Sequence, residues 1–230
     1  MDKFGELLSQ VLTNPNTYDS IKVSFQIALL STSISSFFGI FFGLLLERTY
    51  LPGKLIIVRI IRTLMGVPPV VVGLGVYLLV MRRGILGSFG LLYTIPGMVL
   101  AQTLIITPII CGMVYSYALK TASSIRAFAK IMGASKYQTN FLLLKEMKNE
   151  IYFTIVTGFG RSISEVGAVM LVGGNIKGRT RTMTTTISLL KSQGIFQEGV
   201  ILGILLLMIA FLLQCLADYF RKEGKTDENF

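Results

Sequence analysis

The stretch Ile27–Leu46, IALLSTSISSFFGIFFGLLL, contains 20 consecutive residues without a charge. A helix needs about 20 apolar residues to cross the hydrocarbon core of a bilayer, so this stretch is long enough to span a membrane. The whole chain has 230 residues, of which 52% are hydrophobic and only 15% are charged. Because an average soluble domain carries about 25% charged residues, this composition excludes intrinsic disorder and argues against an ordinary water-soluble protein.

Four further apolar runs follow this stretch along the chain. They are Thr63–Met81, Gly84–Lys120, Ile151–Ile176 and Gly199–Ala217. None of them alternates apolar and polar residues in the way that the strands of a membrane β-barrel do. The sequence therefore predicts an all-α membrane protein with five transmembrane helices in one domain at 21–220. The predicted spans cover about residues 21–46, 60–81, 95–118, 151–174 and 198–219, and a long loop occupies residues 119–150.

The two ends of the chain differ from this domain. Residues 1–20 have apolar side chains at helical spacing, which predicts an amphipathic helix lying on the membrane surface; these side chains are Phe4, Leu7, Leu8, Val11 and Leu12. Asn14-Pro15-Asn16 is expected to end that helix, and Asp19 or Ser20 is expected to cap the first span. Residues 221–230 are predicted to form a short cytoplasmic tail.

The basic residues predict how the chain is oriented in the membrane. The net charge is +10, from 22 Lys and Arg against 12 Asp and Glu. In so apolar a chain, this excess is typical of cytoplasmic loops that follow the positive-inside bias, rather than of a nucleic-acid partner. With the N-terminus outside, the inner segments 47–62, 119–150 and 218–230 hold 13 basic residues and the outer segments hold 8. The sequence therefore predicts an outside N-terminus and a cytoplasmic C-terminus.

Several kinds of chemistry are excluded by the residues that the chain lacks. It has no histidine, and its two cysteines, Cys111 and Cys215, lie in separate apolar runs. His-based acid–base catalysis, the usual zinc sites and a disulfide framework are therefore not expected. The tail segment Gly224-Lys225-Thr226 looks like the end of a P-loop, but Tyr219 stands where that motif requires glycine. No catalytic residue, metal site or ATP site is predicted in this chain.

Proline and glycine occur inside the predicted spans. The prolines are expected to kink helices, and they are Pro68-Pro69, Pro96 and Pro108. The pair Gly39 and Gly43 has GxxxG spacing, which is typical of two helices in close contact. Pro68-Pro69 followed by Gly73 is the best candidate for a broken helix that lines a cavity, because non-helical backbone is tolerated there at membrane depth.

The loop segment Lys120–Glu150 is polar, basic and helix-prone. Its composition allows either a solvated connection or a segment with its own fold or partner. Within it, Ala127–Thr139, AFAKIMGASKYQT, resembles the coupling-loop motif of ABC importer permeases. That motif begins Glu-Ala-Ala, has glycine six positions after the Glu and ends Ile-x-Leu-Pro. This chain has Ala127 in place of the Glu and Lys145-Glu146 in place of Leu-Pro.

The resemblance implies two short helices that dock into a cleft of a separate ATPase subunit. The candidate coupling residues are Ala127, Ala129, Gly133, Ala134, Ser135 and Lys136.

A second segment with functional potential lies in and after the fourth predicted span. Arg161 and Glu165 are four residues apart, on one face of the predicted helix. A charge deep in a membrane costs about 3 kcal/mol on insertion scales. The two residues are therefore interpreted either as an ion pair that neutralises itself or as part of a polar translocation path. Both interpretations stay open from the sequence, and both can hold together.

The residues after this pair offer groups that suit a tetrahedral oxyanion. Gly173-Gly174-Asn175 can present backbone N–H groups, and Lys177, Arg179 and Arg181 attract anions. Hydroxyl groups are offered by Thr180, Thr182, Thr184, Thr185 and Thr186. Any single threonine among them is also explained by an ordinary outer turn.

The segment 159–183 resembles the oxyanion branch of the ABC importer permeases, which comprises the molybdate, sulfate and tungstate permeases, and it is most similar to the tungstate permeases. The shared elements are Arg161, Glu165, Gly167-Ala168, Gly174-Asn175-Ile176, Gly178 and Arg179-Thr180. The resemblance extends over about residues 20–220. The candidate residues of the translocation path are Arg161, Ser164, Glu165, Gly173, Gly174, Asn175, Thr180 and Thr182.

The resemblance implies a type I importer permease in a prokaryotic cell membrane, working by alternating access. It implies a homodimer with two ABC ATPase subunits, which bind ATP and Mg, and an extracytoplasmic oxyanion-binding protein. No cofactor is expected in the permease itself. Tungstate is the expected substrate, with molybdate, sulfate or phosphate as alternatives. An intramembrane enzyme and an ATP-independent transporter are remoter alternatives.

Overall fold

The computed structural model describes residues 9, 13–50 and 52–226, with side chains as far as Tyr219 in the last helix. Most of the predicted amphipathic segment and residues 227–230 of the predicted tail lie outside the described residues. The described part of the chain is helical and contains no strand. Its α-helices from Pro15 onward are α1 (Pro15–Arg48), α2 (Lys54–Met65), α3 (Pro69–Val80), α4 (Ile95–Ile131), α5 (Lys136–Glu146), α6 (Lys148–Ile163), α7 (Gly167–Gly173), α8 (Met183–Ser192) and α9 (Phe196–Thr226), and a 3₁₀ helix spans Gly87–Phe89.

Three of these helices are long and apolar enough to cross a membrane by themselves. They are α1, α4 and α9, the last within Phe196–Tyr219. Two further candidate spans are bent pairs, since α2 meets α3 at 100° and α6 meets α7 at 58°. The described residues therefore provide up to five spans, as the apolar runs predict, although the second and fourth are broken rather than straight.

Proline has different effects at its different positions. The break before α3 lies at Pro68-Pro69, with Pro69 at the start of the helix. Proline provides no backbone N–H and disfavours helical backbone in the residue before it, so one helix cannot run through this pair. The expected kink at Pro96 is wrong, because Pro96 lies in the first turn of α4, where Thr94 caps the helix. Pro108 lies inside α4, which continues past it.

The first long helix begins earlier than the sequence suggests. The Asn14 side chain accepts a hydrogen bond of 3.0 Å from the backbone N–H of Asn16, and Pro15 occupies the first turn. Proline suits this position because its missing N–H would have no partner there. The predicted caps Asp19 and Ser20 are therefore wrong, and the Ser20 hydroxyl instead donates to the Asn16 carbonyl at 2.9 Å.

The centre of the fold is the contact between α1 and α4. A Cβ atom added to Gly39 would lie 2.7 Å from Ile110 Cγ2, and one added to Gly43 would lie 2.9 Å from the Cys111 carbonyl oxygen. The two backbones can approach this closely only because both positions of the GxxxG pair lack a side chain. Ile110 belongs to a buried cluster that α4 forms with Leu143 of α5.

Gly39→Leu is expected to destabilise the subunit by about 3 kcal/mol, because the new side chain would overlap Ile110 in a fully packed interface. The expected result is a lower Tm of the detergent-purified subunit and a smaller folded fraction in the membrane. Thermal melting followed by size-exclusion chromatography measures both quantities.

Gly203→Leu is the matched control for this prediction. Gly203 also lies within a long candidate span, but no atom lies within 4 Å of its added Cβ. The control is expected to keep the Tm of the unmodified chain. Equal melting of the two variants would contradict the assigned role of Gly39 in helix packing.

Candidate translocation and coupling sites

The break between α6 and α7 brings Arg161 and Glu165 together. Arg161 Nη2 lies 3.4 Å from Glu165 Oε2, and the exposed fractions of the two side chains are 42% and 5%. The sequence predicts both residues on one continuous helix. This prediction is wrong, because α6 ends at Ile163, between the two residues. The pairing of the charges is therefore present, but it bridges a bend of the chain.

Glu165 has a second role at this bend, which the sequence analysis missed. Its Oε1 atom accepts hydrogen bonds from the backbone N–H groups of Val166, Gly167 and Ala168, at 3.1, 2.9 and 3.5 Å. These are groups at the start of α7 that have no partner within the helix. The carboxylate therefore caps α7 with one oxygen and pairs with Arg161 through the other. The glycine at position 167, two residues after Glu165, is the signal that could have suggested a break in the helix.

The other end of α7 is closed by Thr180. The Thr180 hydroxyl donates to the Gly173 carbonyl at 2.6 Å and accepts from the Ile176 N–H at 3.0 Å. Gly174 and Asn175 have positive φ angles of 69° and 52°, so the chain reverses here. The Gly174 N–H donates to the Met170 carbonyl at 3.0 Å and so has an intramolecular partner.

Arg181 stabilises the same turn through hydrogen bonds to Asn175. Its guanidinium donates to Asn175 Oδ1 at 3.1 Å and to the Asn175 carbonyl at 3.3 Å. Lys177 and Arg179 are exposed, and neither is part of an ion pair among the described residues. These two side chains therefore keep their positive charge available at the surface of the turn.

The remaining threonines connect α8 to other elements. Thr182 caps α8, and the Thr184 hydroxyl donates to the Glu165 carbonyl at 2.8 Å. The hydroxyls of Thr186 and Ser20 are 2.9 Å apart, which joins α8 to α1. The residues from 182 to 186 are buried, and the hydroxyls of the four threonines among them form hydrogen bonds within the subunit. These threonines therefore hold the helices together in this conformation and do not offer free hydroxyls to an anion.

The candidate path residues thus form two groups, one at each end of α7. Arg161, Ser164 and Glu165 lie at its start, while Gly173, Gly174, Asn175 and Thr180 lie at its end. A helix of seven residues is about 10 Å long, so the two groups are separated by that distance. Thr182 lies beyond the second group, at the start of α8. The same helix contacts the first group, because the Thr184 hydroxyl donates to the Glu165 carbonyl. Arg161, Ser164 and Gly174 are exposed.

The predicted coupling loop forms a turn between α4 and α5. Gly133 has a φ of 68°, and Ser135 begins α5 with a reciprocal pair of hydrogen bonds to Gln138 at 2.8 and 3.3 Å. The expected two short helices are only partly present, because the first is the end of the 37-residue helix α4. Of the candidate coupling residues, Ala129 is buried and Ala134 is half-buried, whereas Ala127, Gly133, Ser135 and Lys136 are exposed.

Large apolar side chains surround this turn, and the sequence analysis did not identify them. They are Phe128, Ile131, Met132, Tyr137 and Phe141, with exposed fractions between 57% and 84%. Several large exposed apolar side chains on both sides of one turn are typical of a protein interface. We call these five residues the coupling surface. Apolar residues within an otherwise polar loop were the signal that could have revealed them.

The comparisons with known proteins agree with this architecture. The family described as binding-protein-dependent transport system inner membrane component matches residues 35–223. The tungstate uptake system permease protein TupB of Peptoclostridium acidaminophilum is 39% identical over 91% of this chain and 92% of its own length. TupB of Campylobacter jejuni is 36% identical over 70% of this chain and 67% of its own. The molybdenum transport system permease protein ModB of Escherichia coli is 28% identical over 88% and 93%.

A solved structure with the same fold is that of a bacterial ABC transporter involved in the import of the acidic polysaccharide alginate. Its TM-score is 0.74 at 16% identity, over 94% of this chain and 83% of that chain. The predicted type I importer fold is therefore confirmed. An intramembrane enzyme is excluded by the same relationships. The chain belongs to the binding-protein-dependent transport system inner membrane components, and it is a multi-pass permease subunit of an ATP-driven importer.

Proposed function

We propose that this chain is the permease of a tungstate importer. The observation that carries the proposal is the 39% identity to a tungstate uptake permease over 91% of the chain. The exposed cations Lys177 and Arg179 fit a dianionic substrate, because an unpaired positive charge raises the local concentration of anions. Molybdate is the alternative substrate, supported by the more distant similarity to a molybdenum permease.

The assembly that we propose contains two copies of this chain. Two ABC ATPase subunits, which bind ATP and Mg, would dock on the coupling surface, and an extracytoplasmic protein would deliver the anion. The exposed Ile131, Met132 and Tyr137 support the docking, since burying large apolar side chains favours association. The N-terminus is proposed to lie outside and the C-terminus in the cytoplasm, because the inner segments carry more Lys and Arg.

The mechanism that we propose is alternating access, driven from the coupling loop. Closure of the ATPases would move α5 and the end of α4, and α4 would transmit this movement to α7, which packs on it through Ala168 and Val172. The bend between α6 and α7 would act as the moving joint. Glu165 would keep α7 attached to Arg161 while the half-exposed guanidinium faces the passing anion.

Selective uptake tests the substrate. Cells that produce this chain together with an ATPase and a binding protein encoded beside it are supplied with equal tungstate and molybdate. We expect tungsten to accumulate, measured by elemental mass spectrometry, and we expect accumulation to stop in cells that lack only this chain. Accumulation of molybdenum alone would contradict the tungstate assignment, and absence of chain-dependent uptake of either would contradict both assignments and leave sulfate or phosphate as the oxyanions to test.

A further inference from the structure

A basic cavity lies where the end of α1 meets the turn between α4 and α5. Its volume is about 540 Å³, and the side chains of Arg48, Arg126, Lys130 and Lys136 line it. No carboxylate lines it. Arg126 is paired with Glu47, whereas the other three cations form no ion pair among the described residues. The cavity therefore carries uncompensated positive charge and fits an anionic group.

An apolar groove continues from this cavity along α1. It has a volume of about 230 Å³ and shares Arg48, Arg126 and Asn140 with the basic cavity. Its other walls are apolar, including Phe41 and Leu45 of α1. These two side chains lie in the last two turns of a candidate membrane span and are 55% and 44% exposed. The groove therefore lies between the end of this span and α5, which contributes Leu143 and Leu144 to its other wall.

The ion pair between Arg126 and Glu47 brings this part of α4 next to the end of α1. It joins α4 to the last turn of α1, so that Lys130, one turn further along α4, extends beyond the end of the span. Tyr50, which also lines the cavity, is 99% exposed. Tyrosine is enriched at the interface between membrane and water. The order along α1 is therefore apolar groove, then cations and an aromatic side chain.

We propose that the cavity and groove together bind an anionic phospholipid from the leaflet that faces the coupling loop. The phosphate would lie among Arg48, Lys130 and Lys136, and one acyl chain would lie along Phe41 and Leu45. An acidic side chain of a protein partner would match the cations but would leave the apolar groove empty. A lipid satisfies both features, and it would link membrane composition to the turn that contains Gly133.

Native mass spectrometry of the permease in complex with its ATPase tests this site. The complex is titrated with phosphatidylglycerol or with phosphatidylcholine that has the same acyl chains. We expect about tenfold tighter binding of phosphatidylglycerol, since basic residues near the membrane attract anionic lipids. In the double variant Arg48→Gln and Lys130→Gln, we expect that affinity to fall by about fivefold for each charge removed. Arg126 is left unchanged because it pairs with Glu47.

The matched control is the double variant Lys145→Gln and Lys148→Gln. It removes the same charge from exposed positions near the same loop that line neither the cavity nor the groove. Glycerol 3-phosphate, which has the phosphate without acyl chains, is expected not to displace the lipid. The proposal is overturned by equal binding of both lipids, by an equal loss in the control, or by displacement by glycerol 3-phosphate. Lipid that binds to the permease alone but not to its complex with the ATPase would overturn the proposal and assign the cavity to the ATPase instead.

Discussion

Glu165→Ala is expected to abolish anion uptake and to destabilise the subunit by about 3 kcal/mol. The substitution removes the partner of Arg161 and, at the same time, the acceptor of the three N–H groups at the start of α7. Because Arg161 is half exposed, water can solvate its charge after the substitution. The expected loss of stability is therefore at the lower end of the range for breaking a buried ion pair. Uptake assays and the Tm of the purified subunit measure the two effects.

Glu165→Gln separates the cap from the charge. The amide oxygen of glutamine can still accept hydrogen bonds from the α7 N–H groups, but it carries no charge to pair with Arg161. We expect this variant to keep most of the stability and to lose uptake, because the proposed mechanism needs the charge pair at the bend. If Glu165→Gln transports normally, the pair is structural only, and its role beside the path is wrong.

Gly133→Trp is expected to reduce uptake by more than tenfold while leaving membrane insertion unchanged. Gly133 has a φ of 68°, in which a residue with a side chain is strained by about 1 kcal/mol. No atom lies within 4 Å of an added Cβ, so the indole would project into the space beside the coupling surface, where we propose that the ATPase docks. ATPase activity stimulated by the loaded binding protein is the direct measurement of coupling.

Gly53→Trp is the control for this prediction. Gly53 has a φ of 86° and open space around its added Cβ, so the backbone strain and the free volume are similar. It precedes α2, in another segment that we propose faces the cytoplasm. We expect Gly53→Trp to retain coupled ATPase activity. Normal activity of Gly133→Trp, or an equal loss in both variants, would argue against a specific role of the turn at Gly133.

Much of the fold could be predicted because membrane spans are a local property of the sequence. A run such as Ile27–Leu46 is long and apolar enough to identify itself, without knowledge of what it packs against. The GxxxG pair at Gly39 and Gly43 similarly predicts a close helix contact, and the structure shows α4 against it. The partner helix could not be named in advance, since spacing describes one surface of a contact and not the other.

The candidate sites were predictable in part. The charges of Arg161 and Glu165 stand out in an apolar run, and their spacing predicts the ion pair that the structure contains. The bend between them was missed, because the hydropathy of the run continues through it. The motif around Gly133 predicted a coupling loop with two short helices, but the exposed apolar side chains beside it became apparent only when each residue's exposure could be measured.

The sequence by itself determined the membrane class, the number of candidate spans, the family and the positions of the unusual charges, because each of these depends on residues that are neighbours along the chain. The tertiary structure alone decided which hydroxyls are already used, such as Thr186 with Ser20, 166 positions apart. It also decided that Arg48 and Lys130, from two different helices, line one basic cavity. Hydrogen bonding and cavity electrostatics depend on distances in space, and these distances follow from helix packing rather than from separation along the chain.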